Sequence, residues 1–188
     1  MRRLTFAVVL LFSLLIPSAM FADVVFNFDS TPTGTHTPFS LTQSGLTASF
    51  GGSGVFAVID TTGFGFTNLS GNALFQVDTG NLDISFNGTL PGMHFDFAMP
   101  NLSDTLTVQA YLNGVAVGAP VNITNLTADS GGFGEGLYSF QGSVNEVQIS
   151  GNDLFAVDNV TAVPEPASLL LLGSGLVGLA GRKLRRQE

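Results

Sequence analysis

The sequence predicts an all-β chain whose exported part is a single, jelly-roll-like β-sandwich. Three observations predict it. Short alternating or apolar runs recur about every ten residues between Asp23 and Val160, each bounded by Gly, Asn, Ser or Pro. No stretch of this region sustains a helical period. The chain also has no cysteine, so the domain is held by its own core without disulfides, and low charge with many Ser, Thr, Asn and Gly residues fits an extracellular β module.

The runs follow one another in chain order. Val24–Phe28 opens the domain, followed by Thr47–Phe50, Val55–Ile59, Phe64–Thr67 and Leu74–Val77. Leu82–Phe86, Met93–Phe97, Thr105–Leu112, Val144–Ile149 and Phe155–Val160 complete the set. Gly51-Gly52-Ser53-Gly54, Asn87-Gly88 and Leu90-Pro91-Gly92 are the expected breaks. In Met93-His-Phe-Asp-Phe97 the alternation sends Phe95 and Phe97 to one face and His94 and Asp96 to the other. Gly131-Gly132-Phe-Gly134-Glu-Gly136 reads as a loop; no lysine or adjoining helix makes it a phosphate cradle.

Both ends of the chain differ from this middle. Arg2 and Arg3 precede the apolar Leu4–Ile16, and Pro17, Ser18 and Ala19 follow, the order of a secretory signal peptide. That predicts a signal peptide over 1–22, cleaved after Ala22 or after Ala19, with an uncleaved anchor as the other reading. At the far end stand Pro164-Glu165-Pro166, the apolar Ala167–Gly181, and the basic Arg182, Lys183, Arg185 and Arg186. The prolines keep the motif extended and short of amide donors. The apolar run of about 15 residues reaches roughly 22 Å as a helix, short of a hydrocarbon core of about 30 Å. Snorkelling arginines extend it to a transmembrane helix over 167–184, whose basic end, 182–186, acts as the cytoplasmic stop.

Val-Pro-Glu-Pro-Ala-Ser, then Leu/Gly-rich residues, then arginines resembles the PEP-CTERM sorting tail of Gram-negative bacteria. The resemblance covers residues 163–188. It implies export, transient anchoring in the inner membrane, and recognition of Pro164, Glu165 and Pro166 by an exosortase, an integral-membrane processing enzyme. It also implies an association with exopolysaccharide or biofilm, and a mature protein at the cell surface or outside it. The expected organisation is therefore a signal peptide (1–22), a β-sandwich extracellular domain (23–160) and a sorting tail (161–188).

Charge sharpens this division. All six Lys and Arg residues lie in the two terminal segments. The region between Asp23 and Val163 holds twelve carboxylates, the chain's 14 less Glu165 and Glu188, and no Lys or Arg. Nucleic acid is excluded as a partner, because a phosphate backbone needs a basic surface to displace its counterions. Neutral polysaccharide and divalent cations remain allowed.

Few residues suggest chemistry. Leu154-Phe-Ala-Val-Asp-Asn-Val160 looks like the last strand of secreted jelly-roll modules, a group in which acids near the first and last strands share a structural calcium. That resemblance makes Asp29 and Asp158 candidate calcium ligands, with backbone carbonyls completing the oxygen shell. The alternative is that both aspartates cap turns or strand ends. His94 and Asp96 are same-facing neighbours, a candidate metal or acid–base pair with a plain solvated face as the alternative. His36 has no partner close in sequence. Asp78 with Asp83, or Glu135 with Glu146, would suit a glycosidase, but twelve acids make such pairs inevitable.

The expected function is accordingly non-enzymatic: an exported surface or matrix protein sorted through its tail. The alternatives are a carbohydrate- or calcium-binding matrix module and, last, a secreted polysaccharide hydrolase.

Overall fold

The computed structural model describes residues 23–163. The expected signal peptide and membrane span lie outside these residues. Among the described residues no helix is long and apolar enough to cross a membrane. They form eleven strands in one antiparallel sheet. In chain order these are β1 (Val24–Phe26), β2 (Phe39–Gln43), β3 (Leu46–Gly51), β4 (Phe56–Asp60) and β5 (Asn72–Gln76). Then come β6 (Leu82–Met99), β7 (Leu106–Leu112), β8 (Val115–Ile123), β9 (Thr127–Ala128), β10 (Gly134–Gly151) and β11 (Ala156–Val163).

Two strands organise the rest. β6 and β10 are 18 residues each, about three times the usual strand length. Leu82–Phe86 of β6 pairs with β3 on one side and with Glu146–Ile149 of β10 on the other. Gly92–Met99 pairs instead with β11 and with Gly134–Gln141 of β10. Register shifts between Gln141 and Glu146 mark where the pair bends. One half of the sheet thus runs β2-β3-β6-β10-β7-β8, and the other β4-β5-β11-β6-β10-β9, with β1 on β11. The expected breaks at Asn87-Gly88 and Leu90-Pro91-Gly92 do not end a strand. They are the bend itself, so two expected strands are one.

The core lies on the inward faces. Phe26, Phe28, Phe50, Phe56, Phe95 and Phe97 are fully buried, with Leu82, Ile84, Val147 and Ile149 beside them. Phe28 meets Phe50 edge-on at 5.1 Å between ring centroids, and Phe56 meets Phe155 at 5.2 Å. Burial alternates along Met93–Phe97 as expected, with His94 and Asp96 turned outward.

Tight turns set two hairpins. Asn113 and Gly114 both take positive φ between the paired Leu112 and Val115, as do Ser44 and Gly45 between Gln43 and Leu46. Two left-handed residues in a two-residue loop match the twist of the flanking strands. Phe64–Thr67, expected as a strand, is a loop instead. Gly63 and Gly65 sit at φ 91° and 84°, a conformation that breaks any pleat. Gly134–Gly136, expected as loop, begins β10.

Candidate functional site

β1 and β11 pair, so the first and last strands are neighbours. Val157 enters the core and Asp158 faces away from it, yet Asp158 has no exposed surface. The reason is the segment between β4 and β5, which lies over this outer face. Its Leu69 packs with Ala73, Ala98 and Ala156.

Three carboxylates fasten that segment and the first residue of β5 through backbone amides. Glu135 on β10 accepts from the amides of Thr67 (3.0 and 3.1 Å) and Asn68 (3.2 Å to each oxygen). Asp158 on β11 accepts from the amide of Ser70 at 3.2 Å and of Asn159 at 2.7 Å. Asp29, three residues past β1, accepts from the amide of Asn72 at 2.9 Å. Gly71 takes φ 68° against this carboxylate, and a Cβ there would fall on Asp29 Oδ1. A domain without Lys or Arg uses peptide N–H groups where others use ion pairs.

Asp29 and Asp158 therefore come into one neighbourhood, and Asp96 joins them. Asp96 stands opposite Asp158 in the β6–β11 register, and Asn159 Nδ2 donates to Asp96 Oδ2 at 3.0 Å. Burial pushes the Asp158 carboxyl up to about 6. The Asn159 and Ser70 amides oppose that rise, and the charges of Asp29 and Asp96 add to it. Nearby, Thr31 keeps a buried hydroxyl without a partner, while its carbonyl accepts from Asn72 Nδ2 at 3.1 Å.

The other candidates lie apart from these aspartates' amide contacts, with His94 beside Asp96 on the same outward face of β6. His94 lies opposite Thr161 and Ser139, and His36 makes an isolated bridge to Ala57. Among the described residues no group of three His, Cys, Asp or Glu side chains is arranged to hold a metal ion. Glu135 and Glu146 fall in opposite halves of β10. Asp78 and Asp83 flank the turn between β5 and β6.

Two surface features escaped the sequence reading. One is an apolar cleft of about 170 Å³ whose lining includes Phe64, Phe66, Phe75, Phe133 and Leu154, with Phe64 stacked on Phe66 at 5.4 Å. The other is a polar groove of about 430 Å³ on the outer face of the β2–β3–β6–β10 half, lined by residues including Pro38, Ser40, Ser49, Asp83, Ser85 and Glu146. The alternation of Ser49 and Ser85 with buried neighbours was the available signal for this groove.

A model of the PEP-CTERM protein-sorting motif matches residues 162–186. The chain carries a PEP-CTERM sorting motif. The motif marks a chain for export and membrane-anchored sorting through its C-terminal tail. No curated protein matches the sequence. Among solved structures, the chain is similar to the K2 cleaved adhesin domain of Lys-gingipain, at 11% identity over 75% of this chain and 97% of that one, with a TM-score of 0.43. A family 29 carbohydrate-binding module is 11% identical over 76% and 93% of the two chains, with a TM-score of 0.35. A low-affinity xylan-binding module from Roseburia intestinalis is 12% identical over 75% and 94%, with a TM-score of 0.32. At these low similarities, ligand and activity rest on the residues of this chain itself.

Proposed function

We propose that this is a non-enzymatic protein of the cell surface or extracellular matrix, delivered through its signal peptide and processed at its sorting tail. The span over 167–184 holds it in the inner membrane, with Arg182, Lys183, Arg185 and Arg186 on the cytoplasmic side. An exosortase cleaves near Pro164-Glu165-Pro166, and the mature domain joins an exopolysaccharide or biofilm matrix. One observation carries this reading: the match to the sorting-motif model covers residues 162–186, the Pro-Glu-Pro motif and the basic end included. Cleavage at the prolines would leave whole every strand of the described residues. The test is a Pro164→Ala, Glu165→Ala, Pro166→Ala variant in the native host. It should accumulate in the membrane fraction; release equal to that of the wild type argues against the reading.

A second reading attaches calcium to Asp29 and Asp158, with loop carbonyls completing the shell. Its support is the gathering of Asp29, Asp96 and Asp158 in a domain without Lys or Arg, beside the unpartnered Thr31 hydroxyl. Calcium binding would raise the melting temperature of the wild type and leave an Asp29→Asn, Asp158→Asn variant unmoved. No calcium heat and no shift in melting temperature would leave the carboxylates as loop fasteners alone.

A further inference from the structure

The outward face of the β2–β3–β6–β10–β7 half carries an ordered polar row. Ser40 on β2 lies opposite Ser49 on β3, Ser49 opposite Ser85 on β6, Ser85 opposite Glu146 on β10, and Glu146 opposite Tyr111 on β7. Partners in register point to the same side of a sheet, so these five side chains form a line across it. At about 4.8 Å per strand, the line runs roughly 19 Å. Two residues along the strands lies a second row: Gly51, Asp83, Gln148 and Gln109. Gly51 contributes no side chain to it, and the groove opens there, with Pro38 and Ser40 on one flank and Asp83, Ser85 and Glu146 on the other.

The chemistry of the lining narrows the ligand. Ser40 and Ser49 share a hydrogen bond of 2.9 Å, and Gln148 Nε2 donates to Asp83 Oδ1 at 3.0 Å, which holds both rows in place. The groove offers hydroxyls and two carboxylate acceptors, suited to a ligand rich in hydroxyl donors. With no Lys or Arg between Asp23 and Val163, the domain repels phosphate, sulfate and uronate groups. The polar lining disfavours an apolar guest. Two carboxylates alone fall short of the oxygen-rich shell of calcium, and no buried unpartnered oxygen among the described residues lines the groove. Its volume of about 430 Å³ lies within the range of small-ligand sites.

We propose that this groove, centred on Gly51 between Ser40 and Glu146, binds a neutral polysaccharide laid across the strands, with Asp83 and Glu146 accepting hydrogen bonds from sugar hydroxyls and Tyr111 at the far end. The proposal rests on the matrix reading above and names the site at which the matrix polymer would be held.

The test uses the full chain in a polyoxyethylene detergent, which carries no sugar headgroup. Native gels are cast with a neutral glucan, a neutral xylan, a neutral mannan, or a polyuronate. The wild type should be retarded by at least one neutral polymer and by none of the uronate. Gly51→Val fills the groove: a Cβ there meets only Pro38 Cβ, at an ordinary 3.9 Å, so the fold should persist. Glu146→Gln removes a charged acceptor and serves as a second variant. Each should weaken retention about ten-fold or more, as the loss of a charge-assisted hydrogen bond or of the space itself predicts. Ser139→Ala, on the opposite half of the sheet, should leave it unchanged. Retention undiminished in both groove variants overturns the site while leaving the matrix reading intact. A wild type retarded by no neutral polymer overturns the proposal and removes the polysaccharide part of that reading.

Discussion

Asp158 and Asp96 stand opposite each other in the β6–β11 register, and the side chain of Asn159, itself at φ 49°, reaches across to Asp96. Two carboxylates facing each other beside Asp29, in a domain without Lys or Arg, make ionisation of the buried Asp158 costly. Its carboxyl lies at about 6 in the fold against 3.8 for a free aspartate, through burial first and the neighbouring charges after. An acid whose folded value is raised binds more protons folded than unfolded in the window between the two. Stability from this group is therefore greatest below pH 3.8 and falls as pH rises toward 6. The loss is about 3 kcal/mol at most. Asp158→Asn should flatten the decline and raise the melting temperature at pH 7.5. Thermal melts of both proteins from pH 4 to 8 check it, and parallel curves would contradict it.

Glu135 fixes the amides of Thr67 and Asn68 from a site with only 2% exposure. Glu135→Ala strands both donors under the segment between β4 and β5. The expected cost is about 2–4 kcal/mol, because hydrogen bonds to a charged, buried acceptor are among the stronger ones. Denaturant unfolding measures the cost, and limited proteolysis should cut first between Thr61 and Gly71. Unchanged stability would mean that the loop is held by Leu69 and its apolar neighbours instead.

Gly136 lies against the ring of the buried Phe97; a Cβ there would sit 2.5 Å from Phe97 Cζ. Gly136→Ala should destabilise the domain by about 1–3 kcal/mol, the usual cost of overpacking. Gly51→Val, at an open site, should leave the midpoint of unfolding nearly unchanged. Equal effects in the two variants would contradict the packing described for Phe97.

Strand periodicity made much of this fold legible. Met93–Phe97 reads as half-buried strand because its rings alternate with polar residues, and that alternation survives intact in β6. What did not show was that this run and Leu82–Phe86 are one strand, since Asn87-Gly88 and Pro91-Gly92 mark a bend and a stop alike. β8 was invisible because it is an edge strand: Val115 and Val121 are exposed, and Gly118 takes positive φ. Phe64 and Phe66 resembled a strand yet line a cleft, since two left-handed glycines free them to pack, tilted, against Phe75 and Phe133. At the candidate site, the nearness of Asp29 to Asp158 followed from first and last strands being neighbours. Glu135 was not legible as their companion, because its partners Thr67 and Asn68 lie 68 and 67 residues away and offer only backbone amides.

The proposed function makes the tail a handle that is removed beside an intact domain. Intact-mass spectrometry of the protein recovered from the cell surface tests it most directly. A mature C-terminus near Pro164-Glu165-Pro166, with Arg182–Glu188 gone, is the predicted result. A surface form that keeps its sequence through Glu188 would contradict it.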